Sequence, residues 1–183
     1  MEDMIAEEEV VLTITHQGYI KRTALNTYRT QRRGGRGVQG AMSKDEDFVE
    51  HLFIANTHNY MLFFTDMGKC YWLKVYDIPQ GGRAARGRAI VNLIGCDPGE
   101  RVEAFVSVKD FDDDHYIVMC TKNGIVKKTV LSAYGNPRKG GIYAIDIRDN
   151  DKLIEARITN GDHDILLGTH EGKSIRFSEN NIR

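Results

Sequence analysis

Short apolar runs of strand length recur along the chain, and each ends in polar residues followed by a glycine. These turn glycines are Gly18, Gly68, Gly124 and Gly172, which are spaced 50, 56 and 48 residues apart. A glycine suits a tight hairpin turn because it adopts a positive φ without a steric penalty. A second short strand with basic residues follows each of them. The pattern therefore predicts four hairpins, one in each of four repeats.

The first three repeats continue after the hairpin in the same order. A glycine pair comes next (34–35, 81–82, 140–141), then a third apolar stretch, clearest at 89–94 and 142–147, then an acidic turn (45–47, 97–100, 149–151) and a fourth strand. Four short strands in about 50 residues are typical of a propeller blade, and no long segment has helical periodicity. The sequence therefore predicts an all-β fold of four-stranded blades, with repeats at 8–58, 59–114, 115–162 and 163–183.

The fourth repeat reaches only its first hairpin, so the chain holds about three and a half repeats. A closed ring of blades usually needs at least four. We therefore expect a single domain that is a fragment of a larger β-structure.

The charge is nearly balanced overall, with 25 Lys and Arg against 26 Asp and Glu, but it is unevenly distributed. Three segments, 19–39, 81–89 and 122–141, carry six, three and five basic residues and no acidic one. The acids lie in other connections, so stacked repeats would align the cations along one edge. A cationic edge would bind a polyanion; ordinary solvated strand faces are the alternative. The candidate contacts on the second strands and the glycine-pair loops are Lys21, Arg22, Lys74, Arg83, Arg86, Arg88, Lys127, Lys128, Arg138 and Lys139.

The densest basic segment is 31–37, which has three arginines and three glycines in seven residues. Its members are Gln31, Arg32, Arg33, Gly34, Gly35, Arg36 and Gly37. Arginine pairs phosphate oxygens in a bidentate fashion, and glycine lets the backbone approach closely. The segment also satisfies G-x-G-x-x-G, but neither a strand before it nor a helix after it is predicted, so a dinucleotide site is rejected. We predict phosphate contacts without base recognition.

Other classes of function receive little support from the sequence. The three cysteines lie far apart, no histidine spacing suits a metal, and no nucleophile–base pair is evident, so no catalytic or metal-binding residue is assigned. The longest apolar runs are too short to span a membrane as a helix, and the acidic N-terminus does not resemble a signal peptide. We expect a cytoplasmic, non-catalytic domain. A protein-interaction propeller is the alternative from another class, although the loops are charged rather than apolar.

Residues 31–37 resemble the gyrase A box, Q-R-R-G-G-K-G, with Arg36 where lysine is usual. Residues 14–23 are also similar to the first repeat of the C-terminal domain of gyrase A, which belongs to the type IIA topoisomerase family. The resemblance implies a β-pinwheel whose neighbouring blades exchange strands and whose rim wraps duplex DNA. The corresponding component of topoisomerase IV, which usually lacks an intact box, is the alternative within the family.

The resemblance also implies a role within a bacterial holoenzyme associated with the chromosome. Its partners would be duplex DNA, gyrase B and the N-terminal region of gyrase A, in an A2B2 assembly that introduces negative supercoils. The catalytic tyrosine of the family lies outside this domain. The domain itself would need no cofactor, whereas the holoenzyme uses ATP and Mg²⁺.

Overall fold

The computed structural model describes residues 2–28, 33–34 and 47–183, and these residues form an almost entirely β-stranded chain. Thirteen strands are present in the described residues, namely β1 Glu9–Thr15, β2 Tyr19–Ala24, β3 Val49–Asn56, β4 Tyr60–Thr65, β5 Lys69–Lys74, β6 Arg88–Ala89, β7 Val102–Val108, β8 Tyr116–Thr121, β9 Val126–Val130, β10 Ile142–Tyr143, β11 Leu153–Thr159, β12 Asp164–Gly168 and β13 Ser174–Ser178. One short helix, α1 Ile90–Ile94, and 3₁₀ turns at Glu2–Met4, Leu25–Thr27, Val75–Asp77, Leu131–Tyr134 and Glu179–Asn181 complete the described elements. The predicted all-β class is confirmed.

The strands form four sheets in the described part of the chain. Their strand orders are β3-β1-β2-β6, β10-β5-β4-β7, β11-β8-β9 and β12-β13. Each sheet is built around the hairpin of one repeat, and in the first three sheets a later strand of the same repeat pairs with the first strand of that hairpin. This arrangement contains three of the four strands that the sequence predicts for a blade.

A blade is not built from one repeat alone, because the third strand joins the preceding sheet. β6 pairs with β2 in the register Tyr19↔Ala89 and Ile20↔Arg88. β10 pairs with β5 in the register Ile142↔Cys70 and Tyr143↔Lys69. The strand exchange that the family resemblance implies is therefore present in both four-stranded sheets. The expected third strand is also shorter than predicted, because residues 90–94 turn into α1.

A threonine three residues before each turn glycine organises the hairpin. The hydroxyls of Thr15, Thr65, Thr121 and Thr169 accept the N–H of the residue four positions later at 3.1–3.3 Å. Their carbonyls accept the N–H of the turn glycine at 2.9–3.0 Å. The four glycines have φ between 79° and 84°, a conformation that other residues rarely adopt. The same local chemistry therefore specifies the same turn four times.

The chain divides into two compact units, each with its own buried side chains. The first contains 1–61, 72–97 and 107–109, and the second contains 62–71, 98–106 and 110–183. In the first unit Leu12, Ile14, Ile20 and Ile90 are at most 1% exposed. In the second unit the rings of Phe64 and Tyr134 meet edge to face, with centroids 5.9 Å apart, and Phe63 contacts Phe105 in the same way. No helix among the described residues is long and apolar enough to cross a membrane.

Glycines at positive φ let the exchanged strands approach the sheet that they join. Gly87 precedes β6 with φ of 91°, and a Cβ there would clash with the backbone carbonyl of Ile20. Gly141 precedes β10 with φ of 71°, and a Cβ there would lie 2.9 Å from Cε1 of Tyr71. These glycines therefore serve packing, in contrast to Gly82, which has open space around it.

Replacing Gly87 by alanine is expected to lower the free energy of unfolding by about 2 kcal/mol or more, because the methyl group clashes with backbone and the φ is strained. The matched control is Gly82→Ala in the same loop, for which we expect a change within about 0.5 kcal/mol. Urea unfolding of the two variants measures the difference. Equal midpoints for the two variants would contradict the packing role of Gly87.

Candidate nucleic-acid interface

The structure describes two residues of the basic segment 31–37, namely Arg33 and Gly34. Arg33 and Gly34 are exposed, and Gly34 occupies a turn with φ of 81°. The remaining members of the segment lie outside the described residues: Gln31, Arg32, Gly35, Arg36 and Gly37. Their part in an interface stays a prediction.

A loop in the first compact unit carries three arginines, and we call residues 81–88 the arginine loop. Arg83 and Arg88 are exposed, and their guanidinium groups make no hydrogen bond or ion pair with another described residue. The guanidinium group of Arg86 already has partners within the protein. Its carbon lies 3.7 Å from the ring centroid of Tyr19, and Nη2 donates to Oε1 of Gln17 at 2.7 Å. Arg83 and Arg88 are therefore the better contacts for a ligand from this loop.

Lys21 was expected to contact DNA, but the structure buries it. The residue is 1% exposed, and Nζ donates to the carbonyl oxygens of Gly82, Arg83 and Ala85 at 3.0, 2.6 and 2.9 Å. An ammonium has three N–H donors, and all three are used here. The prediction of a direct phosphate contact is therefore wrong for Lys21.

Two further basic residues of the first compact unit are engaged within the protein. Arg22 donates from Nε to the carbonyl oxygen of Ile78 at 2.7 Å. Lys74 is 17% exposed, donates to Oε1 of Glu2 at 2.7 Å and to the carbonyl oxygen of His58 at 2.9 Å, and lies over the ring of Tyr60. The hydrogen bond from Lys74 lowers the pKa of Glu2. Lys74 thus forms a structural ion pair, which leaves its ammonium less available for the predicted DNA contact.

The second compact unit offers its exposed cations on the loop before β10. Arg138 and Lys139 are exposed and unpaired with any other described residue, and Gly140 beside them has open space around it. Lys127 is exposed, but its Nζ donates to the carbonyl oxygen of Ala144 at 2.8 Å. Arg138 and Lys139 are therefore the available contacts of this loop.

Lys128 pairs with a buried acid, which leaves its ammonium less available for the predicted DNA contact. Its side chain is 12% exposed, and Nζ lies 3.0 Å from Oε2 of Glu179, which is fully buried. Glu179 also accepts from the hydroxyl of Thr159 at 2.7 Å and from the N–H of His163 at 2.6 Å. Burial raises the pKa of Glu179, but these hydrogen bonds and the ammonium outweigh it, and the net pKa lies below the usual value.

Glu179 is not among the predicted site residues, although the sequence carries a signal for it. The position seven residues after the turn glycine holds Leu25, Val75 and Leu131 in the first three repeats and Glu179 in the fourth. All four begin a 3₁₀ turn. An acid at a position that is otherwise apolar requires a charged partner nearby. The alignment of the repeats therefore indicates a buried ion pair at this position.

The acidic turns are not separated from the basic loops as expected. Oδ1 of Asp47 accepts the N–H of Gln17 at 3.0 Å, and its Oδ2 lies 4.0 Å from Nη2 of Arg86. In the third repeat, Oδ1 of Asp151 accepts the N–H of Asn123 at 3.0 Å. These acids fold back onto the hairpin turn of their own repeat and satisfy its backbone donors. They act as turn caps, and Asp47 also lies near the arginine loop.

The described residues show no cluster of three or more His, Cys, Asp or Glu side chains that could hold a metal ion. The sequence Asp112–His115 superficially suggests one. There Oδ1 of Asp112 accepts the N–H groups of Asp114 and His115 at 3.0 and 2.9 Å, and the His115 ring bonds to the same carboxylate. This geometry is that of a turn closed by an aspartate side chain.

The fold and the exposed arginine loops define a bladed β-domain with cationic connections, and comparison with known proteins agrees. The family model described as "DNA gyrase C-terminal domain, beta-propeller" matches residues 9–56, 59–109, 115–160 and 163–183. The chain therefore belongs to the DNA gyrase C-terminal domain family. The resemblance seen in the sequence is confirmed.

Individual relatives support the same assignment. The chain is 52% identical to the DNA gyrase A protein of Clostridium acetobutylicum and 47% identical to that of Halalkalibacterium halodurans, in both cases over 100% of this chain and 22% of the relative. The chain thus spans about a fifth of the length of these relatives.

Two solved structures share the fold along nearly the whole chain. The C-terminal domain of DNA topoisomerase IV superposes with a TM-score of 0.80 at 32% identity, covering 96% of this chain and 53% of that one. A DNA gyrase A C-terminal domain superposes with a TM-score of 0.72 at 25% identity, covering 96% of this chain and 56% of that one. The β-pinwheel prediction is confirmed at the level of fold.

Proposed function

We propose that this chain binds duplex DNA through the phosphate backbone and wraps it, so that a gyrase holoenzyme can introduce negative supercoils. The observation that carries the proposal is the set of exposed cations on glycine-containing loops. These cations are Arg83 and Arg88 in the first compact unit and Arg138 and Lys139 in the second. Membership of the gyrase C-terminal domain family supports it.

The chemistry of these loops favours phosphate over bases. Arginine presents a planar fork that matches two phosphate oxygens, and phosphate contacts fix position without reading sequence. None of the exposed cations named above lies on a helix, and the one α-helix of the described residues, α1, has only five residues. We therefore expect little sequence preference, as in other proteins that recognise the backbone and its deformability.

Wrapping requires the contacts to compensate for DNA bending. Bending a site of 20–30 base pairs by 40–90° costs roughly 1–6 kcal/mol. We propose that the exposed loop cations and the arginines of segment 31–37 each contribute phosphate contacts to this compensation. That segment, in the first repeat, would hold the end of the wrap and present a DNA crossing of fixed hand.

The chain would act as a non-catalytic part of a type IIA topoisomerase. ATP hydrolysis, Mg²⁺ and the cleaving tyrosine would be supplied by other parts of an A2B2 holoenzyme, with gyrase B and the N-terminal region of gyrase A as partners. The setting would be the bacterial cytoplasm, on the chromosome. No cofactor is proposed for this domain.

The experiment that tests the proposal is ligation of nicked circular DNA in the presence of the chain. Wrapping in one hand should change the linking number of the closed product with a single sign, in proportion to the protein added. A variant with Arg83, Arg88, Arg138 and Lys139 replaced by alanine should lose this change. The control is Arg176→Ala, because Arg176 is exposed but its Nε is paired with Asp164 at 2.8 Å. DNA binding without a change in linking number would contradict wrapping, and no DNA binding would favour a protein-interaction domain.

A further inference from the structure

The ammonium of Lys21 occupies a cage made by the backbone of the arginine loop. Lys21 lies on β2 of the first repeat, whereas the loop belongs to the second repeat. The carbonyl oxygens of Gly82, Arg83 and Ala85 all point to Nζ, at 2.6–3.0 Å. A side chain of one repeat thus closes a loop of the next.

Both partners of this contact depend on each other. A buried ammonium is costly unless its donors are used, and carbonyls that turn away from water are costly unless they accept a hydrogen bond. Lysine fits because its three N–H groups match three acceptors. Burial also lowers the pKa of Lys21 from the usual lysine value. The loop cannot keep this conformation at low cost without the ammonium.

The loop is shaped to receive the lysine stem. A Cβ at Gly81 would lie 3.5 Å from Cδ of Lys21, and a Cβ at Gly87 would lie 3.2 Å from its Cβ. The loop also enters β6 directly, where Arg88 is paired with Ile20, the neighbour of Lys21. The arginine loop is therefore held along its length: by the aliphatic part of Lys21 at Gly81 and Gly87, by Nζ between them, and by strand pairing at Arg88.

We propose that Lys21 is a positioning residue that closes the arginine loop from inside and so presents Arg83 and Arg88 to the DNA, without touching phosphate itself. The carbonyls that turn inward to Nζ leave the arginine side chains on the outer side, where both are exposed. The DNA part of this inference rests on the proposed function, whereas the ordering of the loop by Lys21 does not.

Lys127 provides a matched comparison within the same chain. It stands three residues after its turn glycine, as Lys21 does, but it is exposed, and among the described residues its Nζ donates to one carbonyl, that of Ala144. The same substitution at the two positions therefore separates the effect of the cage from the effect of removing a lysine.

The first measurement needs no DNA. In Lys21→Met, amide hydrogen exchange in residues 82–88 should accelerate at least tenfold and trypsin should cleave after Arg83 and Arg86, while exchange in β12 and β13 stays unchanged. Lys127→Met should leave residues 82–88 unaffected. If Lys21→Met does not fold, Lys21→Gln, which keeps two donors, should give a smaller acceleration at the same residues. Unchanged exchange of the loop in the folded variant would overturn the proposal.

The second measurement is a double-mutant cycle on DNA affinity. Lys21→Met should weaken binding about tenfold in the natural background and less than twofold in Arg83→Ala, Arg88→Ala, because its effect passes through those arginines. An equal loss in both backgrounds would show a direct contact and overturn the positioning role. If the unmodified chain binds no DNA, the proposed function fails, and the exchange experiment still decides whether Lys21 orders the loop.

Discussion

Replacing Arg32, Arg33 and Arg36 together by alanine is expected to abolish negative supercoiling by a gyrase A protein that carries this segment, while ATP-dependent relaxation continues. Relaxation needs strand passage but no preferred direction of passage. Supercoiling needs a DNA segment that is wrapped with one handedness, so that every passage changes the linking number in the same sense. We propose that these three arginines hold the end of that wrap. Without their charge, we expect the DNA to dissociate from this end of the wrap, so that it is not guided to the catalytic core.

The measurement compares two substrates in the presence of ATP. Relaxed plasmid reports supercoiling, and negatively supercoiled plasmid reports relaxation. The control is Arg36→Lys, which keeps the charge and restores the residue that is usual in the family's box, and which should supercoil normally. Normal supercoiling by the triple alanine variant would refute the role assigned to the segment.

The affinity of this chain for duplex DNA is expected to fall about 10³–10⁵-fold between 50 and 200 mM salt. That range corresponds to six to ten phosphate contacts, because each neutralised phosphate adds about 0.9 to the slope of log K against log salt. Fluorescence anisotropy with a labelled duplex measures the slope. A flat titration would show that the contacts are not made to phosphate.

Substitutions of selected cations make the salt experiment more specific. Arg83→Ala with Arg88→Ala should reduce the slope by about 1.8, because two exposed guanidinium groups are lost. Lys74→Met should leave the slope unchanged, because its ammonium is bonded to Glu2 and His58. A loss of slope in Lys74→Met equal to that of an arginine would contradict the distinction between paired and available cations.

The fold was accessible from the sequence because its signals are local. The turn at Gly18 depends on a positive φ and on a threonine three residues earlier, and the same chemistry repeats at Gly68 and Gly124. What the repeat did not reveal was the partner of its third strand. β6 and β10 pair with the preceding sheet, a choice that depends on which backbone lies within reach after the chain has folded.

The sequence predicts only in part which cations are available to a ligand, because that depends on the acceptors around each of them. Lys21, Lys74 and Arg83 are all basic residues in loops or second strands, and the sequence ranks them alike. In the structure Nζ of Lys21 meets three carbonyls and that of Lys74 meets Glu2, whereas Arg83 has no such partner among the described residues. Whether a cation is available depends on which acceptors the fold brings to it.

The amino-acid sequence by itself determined the β-class, the four hairpins, the family and the abundance of cations on glycine-containing loops, because each follows from residue types at fixed local spacing. The tertiary structure alone decided which cations form hydrogen bonds or ion pairs within the protein. It also decided that Glu179 is buried against Lys128 and that the arginine loop of the second repeat binds Lys21 of the first. Most of these contacts join residues that lie more than 50 positions apart in the chain, and the burial of Glu179 likewise exists only after folding.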